Sequence, residues 1–193
     1  MLEKHELVEK ILLSTDVINN KIIELAKSVN SYYKDNKEPI ILVGILRGCL
    51  PFLSQFMLNL KIDCFVDFMY VESYLGQTKA VNKPKIRMDV INNVKGRDLL
   101  IVEDIIDSGN SLFKIRDHLQ ELGAKSVKII TLLDKKSKRV AKIEADWYGF
   151  EVPDHFLVGY GLDYDEKLRN LPYVGIADLN KIAILEKCKK VVK

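Results

Sequence analysis

Residues Leu99 to Leu122 read LLIVEDIIDSGNSLFKIRDHLQEL, and three patterns follow one another within them. Leu99–Val102 is a continuous aliphatic run, the pattern of a central strand in a parallel sheet. The small polar segment Asp107–Ser111 leads into a helix, and Gly109 lets its backbone curl. Ser111–Leu122 reads as a helix, and Gly123 stops it. A strand that feeds a helix through a short turn is the repeating unit of α/β proteins.

The same alternation extends on both sides. Ile40–Val43 is a short buried strand before Gly44, and Cys49–Leu60 is a helix with Pro51 tolerated in its first turn. Ile62–Val71 and Val127–Leu133 read as further strands, and Lys85–Ile91 alternates like one. Near the start, Val17, Ile18, Ile22, Leu25, Ala26 and Val29 follow a helical period, with Ser14, Thr15 or Asp16 as cap. The polar segment Asn30–Glu38 ends at Pro39, and Glu72–Pro84 is a long polar loop. The expectation is an α/β domain with a mostly parallel sheet. The tail after Ala145, rich in glycines and aromatics, is expected to cover that sheet rather than extend it.

Bulk composition excludes several classes. The 193 residues, 48% hydrophobic and 30% charged, suit one globular domain with a sizeable core. A net charge of +3 does not describe the clustered basic face that nucleic acid calls for. Three cysteines, Cys49, Cys64 and Cys188, are an odd count without CxxC spacing, and His5, His118 and His155 lie far apart. Neither a disulfide framework nor a zinc site is expected. No apolar run is long enough for a membrane span, and MLEKHELVEK is too charged for a signal peptide. A cytoplasmic protein without membrane or nucleic-acid partners is the simplest expectation.

The opening stretch also carries chemistry. In an open α/β sheet, ligands bind at the carboxyl ends of strands. Glu103 and Asp104 follow Leu99–Val102 and are expected at that edge, where neighbouring acids accept hydrogen bonds from vicinal hydroxyls or hold Mg²⁺ through water. The N–H groups of Ser108, Gly109, Asn110 and Ser111 precede or open a helix and lack helical partners. With the helix dipole and two serine hydroxyls they form a phosphate cradle. Capping alone would explain one Asp and one Ser, but not three acids feeding such a turn. Neither the Walker pattern nor GxGxxG is present. An acid pair beside a phosphate cradle suits a ribose phosphate better than a triphosphate.

VEDIIDSGNSL, Val102–Leu112, resembles the phosphoribosyl pyrophosphate signature of the type I phosphoribosyltransferases, and its EDIID core resembles their hypoxanthine-guanine branch. Further elements in the same order extend the resemblance from Ile40 to Asp178. ILRG, Ile45–Gly48, resembles the family's pyrophosphate loop. That likeness implies diphosphate binding by the Leu46, Arg47 and Gly48 backbone and a cis Leu46–Arg47 peptide. The family often has Lys at the place of Arg47. Ser73-Tyr74 resembles the dipeptide of a mobile loop that closes over the site. Lys135 stands where relatives place a Lys that donates to the purine 6-oxygen, rejecting adenine. HFLVGYGLDYDEKLRN, His155–Asn170, resembles the family's base-binding segment. There Phe156 would stack on the purine and Leu157 contact it through its backbone. Asp163 would bind Mg²⁺, and the Arg169 fork would meet the pyrophosphate.

The resemblance implies a type I phosphoribosyltransferase fold: a mostly parallel twisted sheet flanked by helices with a small C-terminal hood. Residues 1–193 would be a single domain, with core 17–145 and a hood mainly of 146–180 plus part of the N-terminus. It implies Mg²⁺-dependent transfer of phosphoribosyl to a 6-oxopurine, hypoxanthine or guanine. In that reaction Glu103 and Asp104 bind ribose and metal, and Asp107 is the general base for the N7 proton. It also implies a homodimer or homotetramer. Three other readings stay open: a xanthine-preferring enzyme of this fold, a non-catalytic nucleotide- or RNA-binding regulator, and a flavodoxin-like nucleotide-dependent enzyme. The last would leave His155–Asn170 unexplained.

Overall fold

The computed structural model describes residues 3–72 and 85–191; the expectations at Ser73 and Tyr74 lie outside the described residues. In chain order the elements are β1 (Val8–Leu13), α1 (Thr15–Tyr33), β2 (Ile40–Leu46), α2 (Leu50–Met57), β3 (Cys64–Glu72) and β4 (Lys85–Met88). Then come β5 (Asp98–Ile106), α3 (Asn110–Glu121), β6 (Ser126–Asp134), β7 (Trp147–Glu151), β8 (Leu157–Val158), β9 (Val174–Ala177) and α4 (Leu179–Val191). The chain divides into two compact units, one of Asn19–Asp154 and one of Met1–Ile18 with His155–Lys193.

The larger unit holds a six-stranded sheet in the order β4-β3-β2-β5-β6-β7. Every pairing is parallel except β4 against β3. Residues 99–102 of β5 are wholly inaccessible, as a strand covered on both faces requires. On one face, Ile41, Val43, Leu99, Ile101 and Ile129 pack with Leu112, Ile115 and Leu119 of α3. The three helical residues recur at the spacing of one helix face. Each such side chain contributes about 1.5–3 kcal/mol of burial, so the helix that follows the Asp107 turn is anchored along its length.

Three expectations are corrected. First, Glu103 and Asp104 do not follow their strand but belong to it. β5 continues to Ile106 because Ile105 and Ile106 pair with Leu133 and Asp134 of β6. Second, α1 continues through the polar stretch to Tyr33. That tyrosine is 3% exposed and extends the apolar stripe one turn past Val29, near Trp147 at 6.3 Å between ring centroids. Third, the tail after Ala145 begins by extending the sheet: β7 pairs with β6 in parallel, Trp147 beside Ile130 and Phe150 beside Leu133.

The smaller unit is a three-stranded antiparallel sheet, β1-β9-β8. Its core gathers Leu7, Val8, Val158, Leu168, Tyr173, Ala177 and Ile182. Among the described residues no helix is long and apolar enough to cross a membrane.

Candidate active site

In the larger unit, β2 and β5 lie side by side and deliver their carboxyl ends to one cleft of about 300 Å³. Leu46, Gly48, Glu103, Asp104, Asp107 and Ser108 are among the residues that line it. The Leu46–Arg47 peptide is cis. The Arg47 guanidinium lies 5.7 Å from the centroid of the Tyr70 ring. Gly48 abuts the Asp104 carboxylate so closely that a Cβ there would overlap it; only glycine lets loop and acid meet.

Asp104 is buried and Glu103 half-buried. The Glu103 carboxyl is pushed well above the usual carboxylate range, first by burial, then by the Asp104 charge and a hydrogen bond between the two acids. The pair suits a ligand that brings positive charge or hydroxyl donors. Neighbouring Cys49 is buried, and its thiol is pushed far up by burial and by the same two acids. That environment suppresses the thiolate.

Asp107 leaves the strand and is exposed. Its Oδ2 lies 4.0 Å from Lys135 Nζ, whose side chain is only 10% exposed. The Lys135 amide donates to the Ile106 carbonyl at 2.9 Å, which fixes it beside the turn. The next lysine differs: Lys136 pairs with Glu151 at 3.1 Å and lies 4.7 Å from the Tyr148 ring centroid. Gly109 has φ +77° and is the N-cap of α3, and its carbonyl accepts from Phe113 at 2.9 Å. The Asn110 amide donates to Ser108 Oγ at 3.4 Å, and Ser111 stands in the first helical turn. The left-handed glycine thus turns Ser108–Ser111 into a helix N-terminus at the cleft.

Sequence reasoning missed two residues here, Asp134 and Arg139. LLDKKSKR reads as a solvated basic loop, yet the Arg139 and Asp134 side chains are 9% and 1% exposed and form an ion pair. The signal was an acid closing the apolar run of β6 with an arginine five residues on.

The other expected residues belong to the smaller unit. Phe156 is 45% exposed, not a core residue, and meets Tyr164 edge-on at 6.3 Å. Leu157 is buried in β8 beside Ile176. Asp163 and Arg169 pair at 2.9 Å. Arg169 also donates to the Gly161 carbonyl at 2.9 Å, and Asp163 accepts from the Glu166 amide at 2.9 Å. Tyr160, Asp165, Glu166 and Leu168 all have left-handed φ, a concentration of strained backbone typical of ligand sites.

Among the described residues no group of three or more His, Cys, Asp or Glu is placed to hold a metal by itself. The adjacent Glu103 and Asp104 carboxyls nevertheless suit Mg²⁺, which keeps several waters and takes one or two carboxylates plus substrate phosphates.

The chain is similar to known proteins in sequence and in fold. The family described as phosphoribosyl transferase domain matches residues 10–165. A hypoxanthine-guanine phosphoribosyltransferase of Lactococcus lactis is 47% identical over 91% of this chain and 96% of its own length. The Bacillus subtilis protein of that name is 46% identical over 90% of this chain and 94% of its own. A crystal structure of a Staphylococcus aureus hypoxanthine phosphoribosyltransferase superposes with a TM-score of 0.87 at 37% identity. It covers 94% of this chain and 98% of that one. The chain belongs to the phosphoribosyl transferase domain family, in its hypoxanthine-guanine phosphoribosyltransferase branch.

Proposed function

We propose that this protein transfers phosphoribosyl from phosphoribosyl pyrophosphate to hypoxanthine or guanine, giving the nucleoside monophosphate and pyrophosphate in purine salvage. The observation that carries the reading is the juxtaposition of Lys135 Nζ and Asp107 Oδ2 at 4.0 Å. A 6-oxopurine presents an acceptor, O6, and a protonated N7 along one edge. A buried ammonium and an exposed carboxylate side by side complement that edge.

In this reading the 5′-phosphate sits on Ser108–Ser111, and the ribose hydroxyls donate to Glu103 and Asp104. The leaving diphosphate meets the backbone of Leu46, Arg47 and Gly48. The C1′–O bond breaks with its electron pair on the diphosphate oxygen, the C1′–N bond forms, and Asp107 accepts the N7 proton. Glu103 and Asp104, with Asp163, are the acids proposed to hold Mg²⁺, which would neutralise charge on the departing diphosphate. Phe156 is proposed to stack on the base, Leu157 to bind it through its backbone and Arg169 to bind diphosphate. Ser73 and Tyr74 are proposed to bind substrate. We read residues 1–193 as one such domain with a core and a hood, cytoplasmic, and a homodimer or homotetramer.

The test offers adenine, hypoxanthine, guanine and xanthine separately, with phosphoribosyl pyrophosphate and Mg²⁺. Monophosphate from hypoxanthine and guanine is expected. None from any base would overturn the enzyme reading, product from adenine alone would overturn the role of Lys135, and product from xanthine alone would select the xanthine-preferring alternative.

A further inference from the structure

Arg139 follows the 3-10 turn Lys136–Lys138, and its side chain is 9% exposed. The guanidinium Nε donates to the backbone carbonyl of Asp107 at 3.2 Å. One terminal nitrogen donates to the Ile143 carbonyl, and the other to the Asp134 carboxylate. The second Asp134 oxygen, Oδ2, is buried and accepts no hydrogen bond among the described residues. A buried ion pair is weak evidence of stabilisation by itself, because desolvating both charges offsets their attraction.

Its geometric consequence is specific. The amides of Val140 and Ala141 both donate to the Ser108 carbonyl at 3.0 Å. A Cβ on Gly109 would meet Ile143 Cγ2 at 2.6 Å and Arg139 Cδ at 3.0 Å. Segment 139–143 therefore grips three successive residues of the turn, Asp107, Ser108 and Gly109. Ser108 is held by backbone amides, which any residue but proline supplies; the Asp107 carbonyl is held by the Arg139 side chain.

We propose that Arg139 is a positioning residue, whose guanidinium, anchored on Asp134, fixes the Asp107 peptide and thereby aims the Asp107 carboxylate at the substrate proton. The proposal rests on the reading of Asp107 as general base. Misplacing a reacting group by about 1 Å costs about a hundredfold in rate, so the effect belongs in turnover.

The test is a double-mutant cycle with Arg139→Lys and Asp107→Asn. Lysine retains a charge for Asp134 but not a fork that also reaches the Asp107 carbonyl. Expected are a kcat about ten- to a hundredfold lower for R139K, a KM for phosphoribosyl pyrophosphate within about threefold, and almost no further loss when R139K is added to D107N. Asp134→Asn, which loosens the anchor without deleting the arginine, should lower kcat less and spare KM in the same way. Wild-type kcat in both R139K and D134N overturns the proposal, and so does an equal fold-loss from R139K in the presence and absence of D107N. Wild-type kcat in D107N would instead overturn the assignment of Asp107.

Discussion

The Asp104 carboxylate occupies the space that a side chain at Gly48 would need. The loop after β2 and the acids of β5 are therefore one packed unit. Gly48→Ala must displace either the loop backbone or the acid. The expected outcome is an affinity for phosphoribosyl pyrophosphate lowered at least about tenfold, the order of effect of small misplacements at a preorganised site. Calorimetric titration checks this; wild-type affinity would mean that the contact is not needed.

Asp107→Asn removes a proton acceptor and leaves the backbone turn in place. Turnover should fall about 10²–10⁴-fold, the usual contribution of a positioned general base. Binding of phosphoribosyl pyrophosphate should change only a few-fold. Equal losses in kcat and in binding would count against a role in proton transfer.

Lys135 and Lys136 are adjacent but stand in different surroundings. Lys135→Met should raise the KM for hypoxanthine about ten- to a hundredfold, the loss expected for a hydrogen bond from a charged group worth about 1.5–3 kcal/mol. Its melting temperature should hold or rise, because a buried ammonium is costly to desolvate. Lys136→Met should leave KM within about twofold. The opposite ranking would reassign the donor to Lys136.

Asp67 makes a prediction about acid stability. Burial raises its carboxyl, but hydrogen bonds from the Asn92 amide and side chain, Phe68 and Ile91 outweigh it and hold the group below the usual value. A depressed carboxyl stabilises the fold fully above its unfolded value of about 3.9 and loses that contribution as pH falls through the lower folded value. Asp67→Asn should therefore cost about 1–3 kcal/mol at pH 7, and the two proteins should converge at pH below that of the folded group. Urea unfolding across pH 2–7 measures the gap. A gap independent of pH would show that the carboxylate charge contributes nothing.

The strand, turn and helix around Asp107 were legible because burial leaves a local record there. The run 99–102 can sit only in a sheet interior, and Gly109 marks the left-handed turn. Lys135, Phe156, Asp163 and Arg169 came from resemblance alone, since nothing in their local composition distinguishes them from surface residues or core. Tyr33 and Arg139 were hard to read for a different reason: each sits beside polar residues, and Trp147 near the tyrosine and the Asp107 carbonyl that holds the arginine come from distant chain. Asp134, which closes the apolar run of β6, left a local signal, but only the fold shows that it is buried and paired with Arg139. The extension of β5 through its own acids likewise depends on the β6 ladder, which no local pattern encodes.

The pairing of β1 with β9 joins the two ends of the sequence, and this bears on how the chain is born. Residues 19–154 are contiguous and can collapse while the ribosome is still at work, but Val8–Leu13, made before them, must wait unpaired until Val174–Ala177 emerges. On ribosomes arrested well past residue 154, proteases should spare the larger sheet and still cut the waiting strand; early protection of that strand would mean that it finds another partner first.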